Sequence, residues 1–179
     1  EIVVNLERHL TRSGAIKVGS LWPTREEIRR SIPAVLRGTM LGSLLGVLPG
    51  GGPTLGAFSA YTLEKKISKN PGEFGKGAVE GVASPEAANN AAAQTSFIPM
   101  LTLGIPSNAV MALMVGAMII QGIQPGPEVM TKNPSLFWGM IASMWVGNLM
   151  LVIINLPMIG MWVKLLTLPY RFLAPAILL

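Results

Sequence analysis

The chain has 179 residues, of which 50% are hydrophobic and 13% charged, and its mean hydropathy is +0.51. This composition predicts an integral membrane protein, in which the basic residues behind the net charge of +5 flank apolar segments and do not bind nucleic acid. The lack of cysteine and the single histidine, His9, exclude disulfides, thiolate metal sites and a histidine metal cluster from these residues.

Residues 1–37 are the first predicted segment, and they hold no apolar run long enough to cross a membrane. Thr24 followed by Glu27 is a capping-box pattern, which predicts the start of a helix. We expect a cytoplasmic loop and then a basic, amphipathic helix at the membrane interface over residues 25–37.

Residues 38–63 contain two short apolar segments separated by the sequence PGGGP. A crossing needs about 20 apolar residues, and each segment has roughly half of that. Basic residues flank both ends, so both ends are expected on the cytoplasmic side. The segment therefore predicts a re-entrant hairpin, whose exposed backbone must be covered by protein or line a wet cavity. Glycines four residues apart predict that the two arms pack against each other.

The later segments alternate between polar turns and apolar helices. Ser84 and Pro85 are typical of an N-cap and a first helical position, and we expect that helix to break at residues 103–108. The predicted segments are a cytoplasmic loop at 64–83, a broken transmembrane helix at 84–123, an external turn at 124–133, a continuous transmembrane helix at 134–163, and a cytoplasmic turn with the start of a truncated span at 164–179.

Three polar patches are expected to meet near the middle of the bilayer. Broken helices that meet at this depth are typical of secondary transporters, in which helix N-termini attract anions and oxygen atoms bind cations. The predicted substrate-binding residues are Gly50, Gly51, Gly52, Thr54, Asn89, Asn90, Ser107 and Asn108, and the predicted ion-coupling residues are Glu86, Asn89 and Asn90. Sodium or a proton is the expected coupling ion, and no cofactor is expected.

Each patch also has a structural interpretation. The glycines could form only a tight turn, and the asparagines could serve only as hydrogen bonds between helices. Glu86 could interact with a helix dipole, while Ser107 and Asn108 could cap a helix.

Five ordered motifs carry a resemblance to a known family. They are LPGGGPT at 48–54, YTLEK at 61–65, GVASPEAANN at 81–90, PMLTLGIP at 99–106 and QPGP at 124–127. With this order and spacing, the chain resembles the large membrane subunit of the tripartite tricarboxylate transporters.

The resemblance implies an all-α, multi-pass protein of the bacterial inner membrane. It implies a secondary carrier of citrate-like or other carboxylates, which works with a periplasmic solute-binding protein and a small membrane subunit. Members of this family consist of two related halves of inverted topology, and the chain resembles the second half. Because it begins at Glu1 and ends in an apolar run, we expect a fragment.

Two other functional classes remain as alternatives. A structural or assembly subunit would need the glycine packing faces but would have no use for two breaks inside the membrane. An intramembrane enzyme is poorly supported, because the chain has no aspartate, no cysteine and one histidine in a peripheral segment. A channel shares most of the features of a carrier, and coupled, saturable flux would separate the two.

Overall fold

The computed structural model describes residues 22–166, which are helical and contain no β-strand. Among these residues, Pro23–Met144 forms one compact unit, and the chain from Trp145 onward belongs to another. The helices are α1 (Arg25–Val47), α2 (Gly52–Ile67), α3 (Glu80–Thr95), α4 (Phe97–Leu103), α5 (Ala109–Ile120), α6 (Val129–Lys132) and α7 (Pro134–Leu166), with a 3-10 turn at Pro71–Glu73. The predictions for residues 1–21 and 167–179 lie outside the described residues.

Helix α1 begins at the predicted capping box. The Thr24 hydroxyl accepts from the Glu27 amide at 3.3 Å, and the Glu27 carboxylate accepts from the Thr24 amide at 2.7 Å. The helix then runs without interruption through Arg37 to Val47, so the predicted interfacial helix and the first hairpin arm are one helix. Its small residues Ala34, Gly38 and Gly42 are buried, and this packing continues across the predicted boundary.

The predicted break after α1 is confirmed. Residues 48–51 connect α1 to α2, and Gly50 and Gly52 have φ angles of 79° and 66°, which side chains other than glycine rarely adopt. A Cβ at Gly51 would overlap the Leu45 carbonyl oxygen. This tight turn reverses the chain, so α1 and α2 form a helical hairpin.

The predicted start of α3 at Ser84 is wrong, because the helix begins at Glu80 and contains Pro85. Two tertiary contacts explain the earlier start. Arg30 holds the Glu80 carboxylate, and the Ser84 hydroxyl contacts Glu64 instead of capping its own helix. These contacts outweigh the backbone hydrogen bond that Pro85 cannot donate.

Helices α1, α2 and α3 form a bundle with very close backbones. Added Cβ atoms at Gly38 and Gly42 would overlap the carbonyl oxygens of Ser84 and Ala88, so α1 and α3 run parallel. A Cβ at Gly56 of α2 would lie 3.6 Å from the Gly42 Cα. The glycine face of α1 therefore packs most closely on α3, although the sequence pattern indicated the other hairpin arm.

The second part of Pro23–Met144 is an apolar cluster formed by α4, α5 and α6. Its buried residues include Met100, Met111, Met118 and Val129. The predicted break between α4 and α5 is confirmed, and α4 ends at Gly104, whose φ is 71°. A Cβ at Gly104 would lie 2.8 Å from the Pro125 carbonyl oxygen, so the QPGP turn contacts this break.

Helix α7 contains one segment, Pro134–Lys164, that is long and apolar enough to span a membrane, with a mean hydropathy of 1.8. Among residues 22–166 it is the one helix that meets both criteria. Helix α5 is apolar, but its 12 residues are too few for a full crossing. The multi-pass topology, the re-entrant depth of the hairpin and the inverted repeat therefore stay predictions.

Candidate functional site

The hairpin tip contacts the break between α4 and α5. The Gly50 amide donates a hydrogen bond of 2.9 Å to the Ser107 carbonyl oxygen. A Cβ at Gly52 would lie 3.4 Å from the Asn108 Cβ. Two of the three polar patches predicted from the sequence therefore form one site, which we call the tip site and define by residues 50–54, 107 and 108.

Two helices begin at the tip site. Helix α2 starts at Gly52 without a side-chain cap, with Thr54 exposed in its first turn, and α5 starts at Ala109 next to the tip. The first amides of a helix have no partner within the helix, and the N-terminus carries a partial positive charge. These two helix N-termini therefore contribute a positive potential to the site without a basic side chain.

Asn108 has a structural role at this site. Its side-chain oxygen accepts from the Met111 amide at 3.0 Å and so caps α5. Its side-chain nitrogen donates to the Ser96 hydroxyl at 3.2 Å. The capping interpretation of Asn108 is thus confirmed, and the side chain also joins the break to Ser96, the residue that follows α3.

Ser107 has the most unusual environment of the predicted residues. It is 1% exposed, and its hydroxyl has no hydrogen-bond partner within residues 22–166. Leaving a buried hydroxyl unpaired costs about 1–3 kcal/mol, so native proteins rarely do it without a reason.

Ser96 joins the hairpin to the break, and the sequence reasoning missed it. Its hydroxyl lies 2.7 Å from the Ala92 carbonyl oxygen and 3.2 Å from that of Gly46, and it accepts from Asn108. A signal was present, because Ser84, Ala88, Ala92 and Ser96 are small residues at intervals of four.

The third predicted patch is not hydrogen-bonded to the tip site. Glu86 and Asn90 are exposed on α3, and the Asn90 amide donates to the Glu86 carbonyl oxygen at 2.9 Å. Asn89 is half-buried beside them. Because the buried side of α3 carries Ser84, Ala88 and Ala92, Glu86 and Asn90 lie on its opposite side.

The end of the bundle away from the tip contains a buried ion pair, which the sequence reasoning also missed. Arg37 donates two hydrogen bonds of 2.8 Å to the carboxylate of Glu64, which is 2% exposed. The Ser84 hydroxyl lies 3.4 Å from the same carboxylate. Arg37 therefore links α1 to α2. It is also one of the basic residues from which the sequence predicted that the ends of the hairpin are cytoplasmic.

A second ion pair lies beside the first. Arg30 donates bonds of 2.6 and 2.9 Å to Glu80 and one of 3.1 Å to Glu73. These hydrogen bonds hold the pKa of Glu80 below its ordinary value of 4.5. A cavity of about 300 Å³ lies between the two pairs, and Lys69 and Asn70 also line it.

Comparison with known proteins shows to which family the chain belongs. The model of the tripartite tricarboxylate transporter TctA family matches residues 1–179. The chain belongs to this family.

Two curated relatives of this TctA-family chain come from Agrobacterium vitis. An uncharacterized 52.8 kDa protein of the TAR-I ttuC' 3' region is 63% identical over 178 residues, which are 99% of this chain and 36% of the relative. An uncharacterized protein of the TAR-II ttuC' 3' region is 71% identical over 138 residues, 77% of this chain and 57% of the relative. The chain thus spans between one third and three fifths of these relatives. No solved structure matches it.

The motifs behind the resemblance to the TctA family lie at the contacts described above. The motif at 48–54 forms the hairpin tip, and the motif at 99–106 contains the break. The motifs at 61–65 and 81–90 contribute Glu64 and Ser84 to the buried ion pair. These four motifs thus supply residues that join the three helices and shape the tip site.

Proposed function

We propose that this chain is part of the membrane subunit of an ion-coupled secondary transporter of citrate-like tricarboxylates or related carboxylates. In this proposal a periplasmic solute-binding protein delivers the substrate, and a small membrane subunit completes the complex in the bacterial inner membrane. The driving force is a sodium or proton gradient. The hairpin and the broken helix move together relative to the rest of the transporter and expose the site to each side in turn.

The observation that carries the proposal is the composition of the tip site. Two helix N-termini and the unpartnered Ser107 hydroxyl meet there, and no basic side chain is present. Amides and hydroxyls stabilise a carboxylate by hydrogen bonding, and the helix dipoles add an attractive potential. Such a site binds an anion without holding it as tightly as a fixed arginine would, which suits a carrier that must release its substrate.

Individual residues have different proposed roles at the tip. Gly52 and Thr54 belong to the first turn of α2, where backbone amides are available to a carboxylate. Gly50 and Gly51 shape the turn, since their amides already donate to Ser107 and Leu48. Ser107 would donate its hydroxyl to the substrate, while Asn108 would hold the start of α5 in place.

Asn89 and Asn90 are proposed to meet the substrate from the outer side of α3, together with parts of the transporter beyond these residues. Glu86, Asn89 and Asn90 are proposed to bind the coupling ion on the same side. A site shared between two halves would explain why exposed amides lie on this side of an otherwise alanine-rich helix. Alanine at Asn89 or Asn90 is then expected to impair uptake more than expression. Normal uptake with either change would overturn the assignment of Asn89 and Asn90 to the site.

Uptake into proteoliposomes tests the proposed function. The full-length protein carrying this sequence is reconstituted with its small subunit and binding protein, and labelled citrate and a panel of carboxylates are offered with and without sodium and proton gradients. Saturable, gradient-dependent uptake is the expected result. No uptake of any carboxylate under any gradient, with a folded protein and its partner bound, would contradict the proposal and favour a structural subunit.

A further inference from the structure

The cavity between the two ion pairs is large enough for a small ligand. Its volume is about 300 Å³, at the lower end of the range for small-molecule sites. Both ion pairs line it, and residues 67–70, where the chain leaves α2, line the rest. The cavity lies at the end of the bundle away from the tip, so it is separate from the tip site.

The carboxylates of this cavity are already paired, whereas the arginines keep unused donors. Glu64 accepts from Nε and Nη2 of Arg37, and Glu80 accepts from Nε and Nη2 of Arg30. A guanidinium group carries donors on all three of its nitrogens, and this bidentate pairing uses one edge. Within residues 22–166 the Nη1 group of neither arginine donates a hydrogen bond.

The turn after α2 adds two further side chains with unused donors. Lys69 and Asn70 both line the cavity, and neither side chain has a hydrogen bond or ion pair within the described part of the chain. The Ser68 hydroxyl accepts from the Asn70 backbone amide at 3.1 Å, which holds this turn in a defined shape. The ammonium group of Lys69 and the side-chain amide of Asn70 are therefore available to a ligand.

The balance of charge around the cavity favours an anion. Three basic and two acidic side chains line it, which leaves one positive charge in excess. Glu73 also accepts from Arg30, but it is not among the lining residues and its side chain is 47% exposed. Water and salt therefore screen the charge of Glu73 more than the charges inside the cavity.

We infer that this cavity binds a phosphate group, carried either by the headgroup of an anionic lipid or by free phosphate. The donors would be the Lys69 ammonium group, the Asn70 side-chain amide and the unused edges of Arg30 and Arg37. Phosphate oxygens accept several hydrogen bonds at once, and arginine and lysine are their usual partners.

The predicted topology is consistent with a lipid headgroup at this cavity. The sequence predicts that residues 64–83 form a cytoplasmic loop, so the cavity would lie where the chain leaves the membrane. Basic pockets between helices on this side of a membrane bind anionic headgroups. The inference does not depend on the proposed transport function, because it concerns the opposite end of the bundle and its test needs no uptake.

Thermal unfolding of the full-length protein in a neutral detergent tests the inference. One arm titrates phosphatidylglycerol against phosphatidylcholine, and the other titrates inorganic phosphate against chloride at constant ionic strength. We expect a saturable rise of the unfolding midpoint in at least one arm, because a ligand that binds the native state stabilises it. A rise in the lipid arm alone identifies a headgroup, and a rise in the phosphate arm identifies free phosphate. No anion-specific rise in either arm would overturn the site.

Variants of exposed lysines separate the cavity from general attraction to anions. Lys69→Gln should raise the half-saturating concentration about fivefold, the loss expected for one lysine near a phosphate, whereas Lys69→Arg should keep the response. Asn70→Ala should raise it about threefold. Lys66→Gln is the matched control, because Lys66 is exposed at the end of α2 but does not line the cavity. Equal responses of Lys69→Gln and Lys66→Gln would overturn the assignment to this cavity.

Discussion

The two ends of the bundle formed by α1, α2 and α3 differ in whether their polar side chains are paired within the protein. At one end Arg30 and Arg37 are each held by bidentate bonds to a glutamate, Glu80 and Glu64. At the other end, the tip site contains no charged side chain, and the buried Ser107 hydroxyl has no hydrogen-bond partner within residues 22–166. The first end pairs its carboxylates internally, whereas the tip leaves capacity for a ligand.

This difference indicates that the two ends of the bundle have different roles. The ion pairs and the close glycine contacts fix α1, α2 and α3 as one unit, so the tip is held in a defined geometry. A site that binds by weak amide and hydroxyl contacts depends on such preorganisation, because each contact contributes little when its groups are mobile. The charged end should therefore govern stability, and the tip should govern substrate binding.

Arg37→Gln should have the largest effect on stability. It leaves the Glu64 carboxylate, 2% exposed, without its charged partner. Breaking a buried ion pair costs about 3–5 kcal/mol, and we expect about 3 kcal/mol because the Arg37 side chain is 40% exposed and partly screened. Unfolding of the full-length protein in detergent, followed by circular dichroism, measures the loss.

Arg29→Gln is the matched control for Arg37→Gln, since Arg29 is an exposed arginine of the same helix. It should change the free energy of unfolding by less than about 0.5 kcal/mol. The double variant Arg37→Met with Glu64→Met should recover most of the stability, because no charge is then left buried. Equal losses in Arg37→Gln and Arg29→Gln would show that the ion pair does not fix the hairpin.

Gly42→Ala should have the next largest effect. Its Cβ would overlap the backbone of Ala88, so α1 and α3 must separate, at a cost of about 2 kcal/mol. Gly147→Ala in α7 is the control, because a Cβ there meets no atom within 4 Å and alanine favours the helix. Thermal unfolding of both variants tests the comparison, and similar midpoints would mean that the close packing contributes nothing.

The sequence predicted those parts of the fold that depend on local signals. The turn at residues 48–51, the break after Leu103 and the capping box at Thr24 each follow from residues within one helical turn of each other. The long apolar helix α7 follows from composition alone. The sequence also predicted together four residues of the tip, because helix breaks can be predicted from neighbouring residues. These residues are Gly50, Gly52, Ser107 and Asn108.

What the sequence did not predict depends on pairing between distant segments. Arg37 was interpreted as a flanking charge and Glu64 as part of a polar loop, because nothing local indicates that α1 and α2 align them. The early start of α3 has the same cause, since Glu80 is fixed by Arg30. Ser96 was missed because its importance comes from Gly46 and Asn108, which approach it from other helices.

The Arg30 and Glu80 pair should give a smaller, pH-dependent effect. Because the folded-state pKa of Glu80 lies below 4.5, the pair contributes stability above the unfolded-state pKa and loses it as the pH falls through the folded-state pKa. Glu80→Gln should therefore cost about 1 kcal/mol at pH 7 and almost nothing well below pH 4. Unfolding midpoints of wild type and variant across this range measure it, and a constant difference would contradict the assignment.

Ser107→Ala should have the smallest effect on stability, and that effect should have the opposite sign. Removing an unpaired buried hydroxyl relieves part of its desolvation cost, so the ligand-free protein should become more stable, by up to about 1 kcal/mol. Carboxylate uptake should nevertheless fall about tenfold, because a hydrogen bond to a charged group is worth about 1.5–3 kcal/mol. Ser143→Ala in α7, where an exposed hydroxyl donates to the Met140 carbonyl, should change neither quantity. Reduced stability of Ser107→Ala with normal uptake would contradict this assignment, because Ser107 would then stabilise the fold and would not bind the substrate.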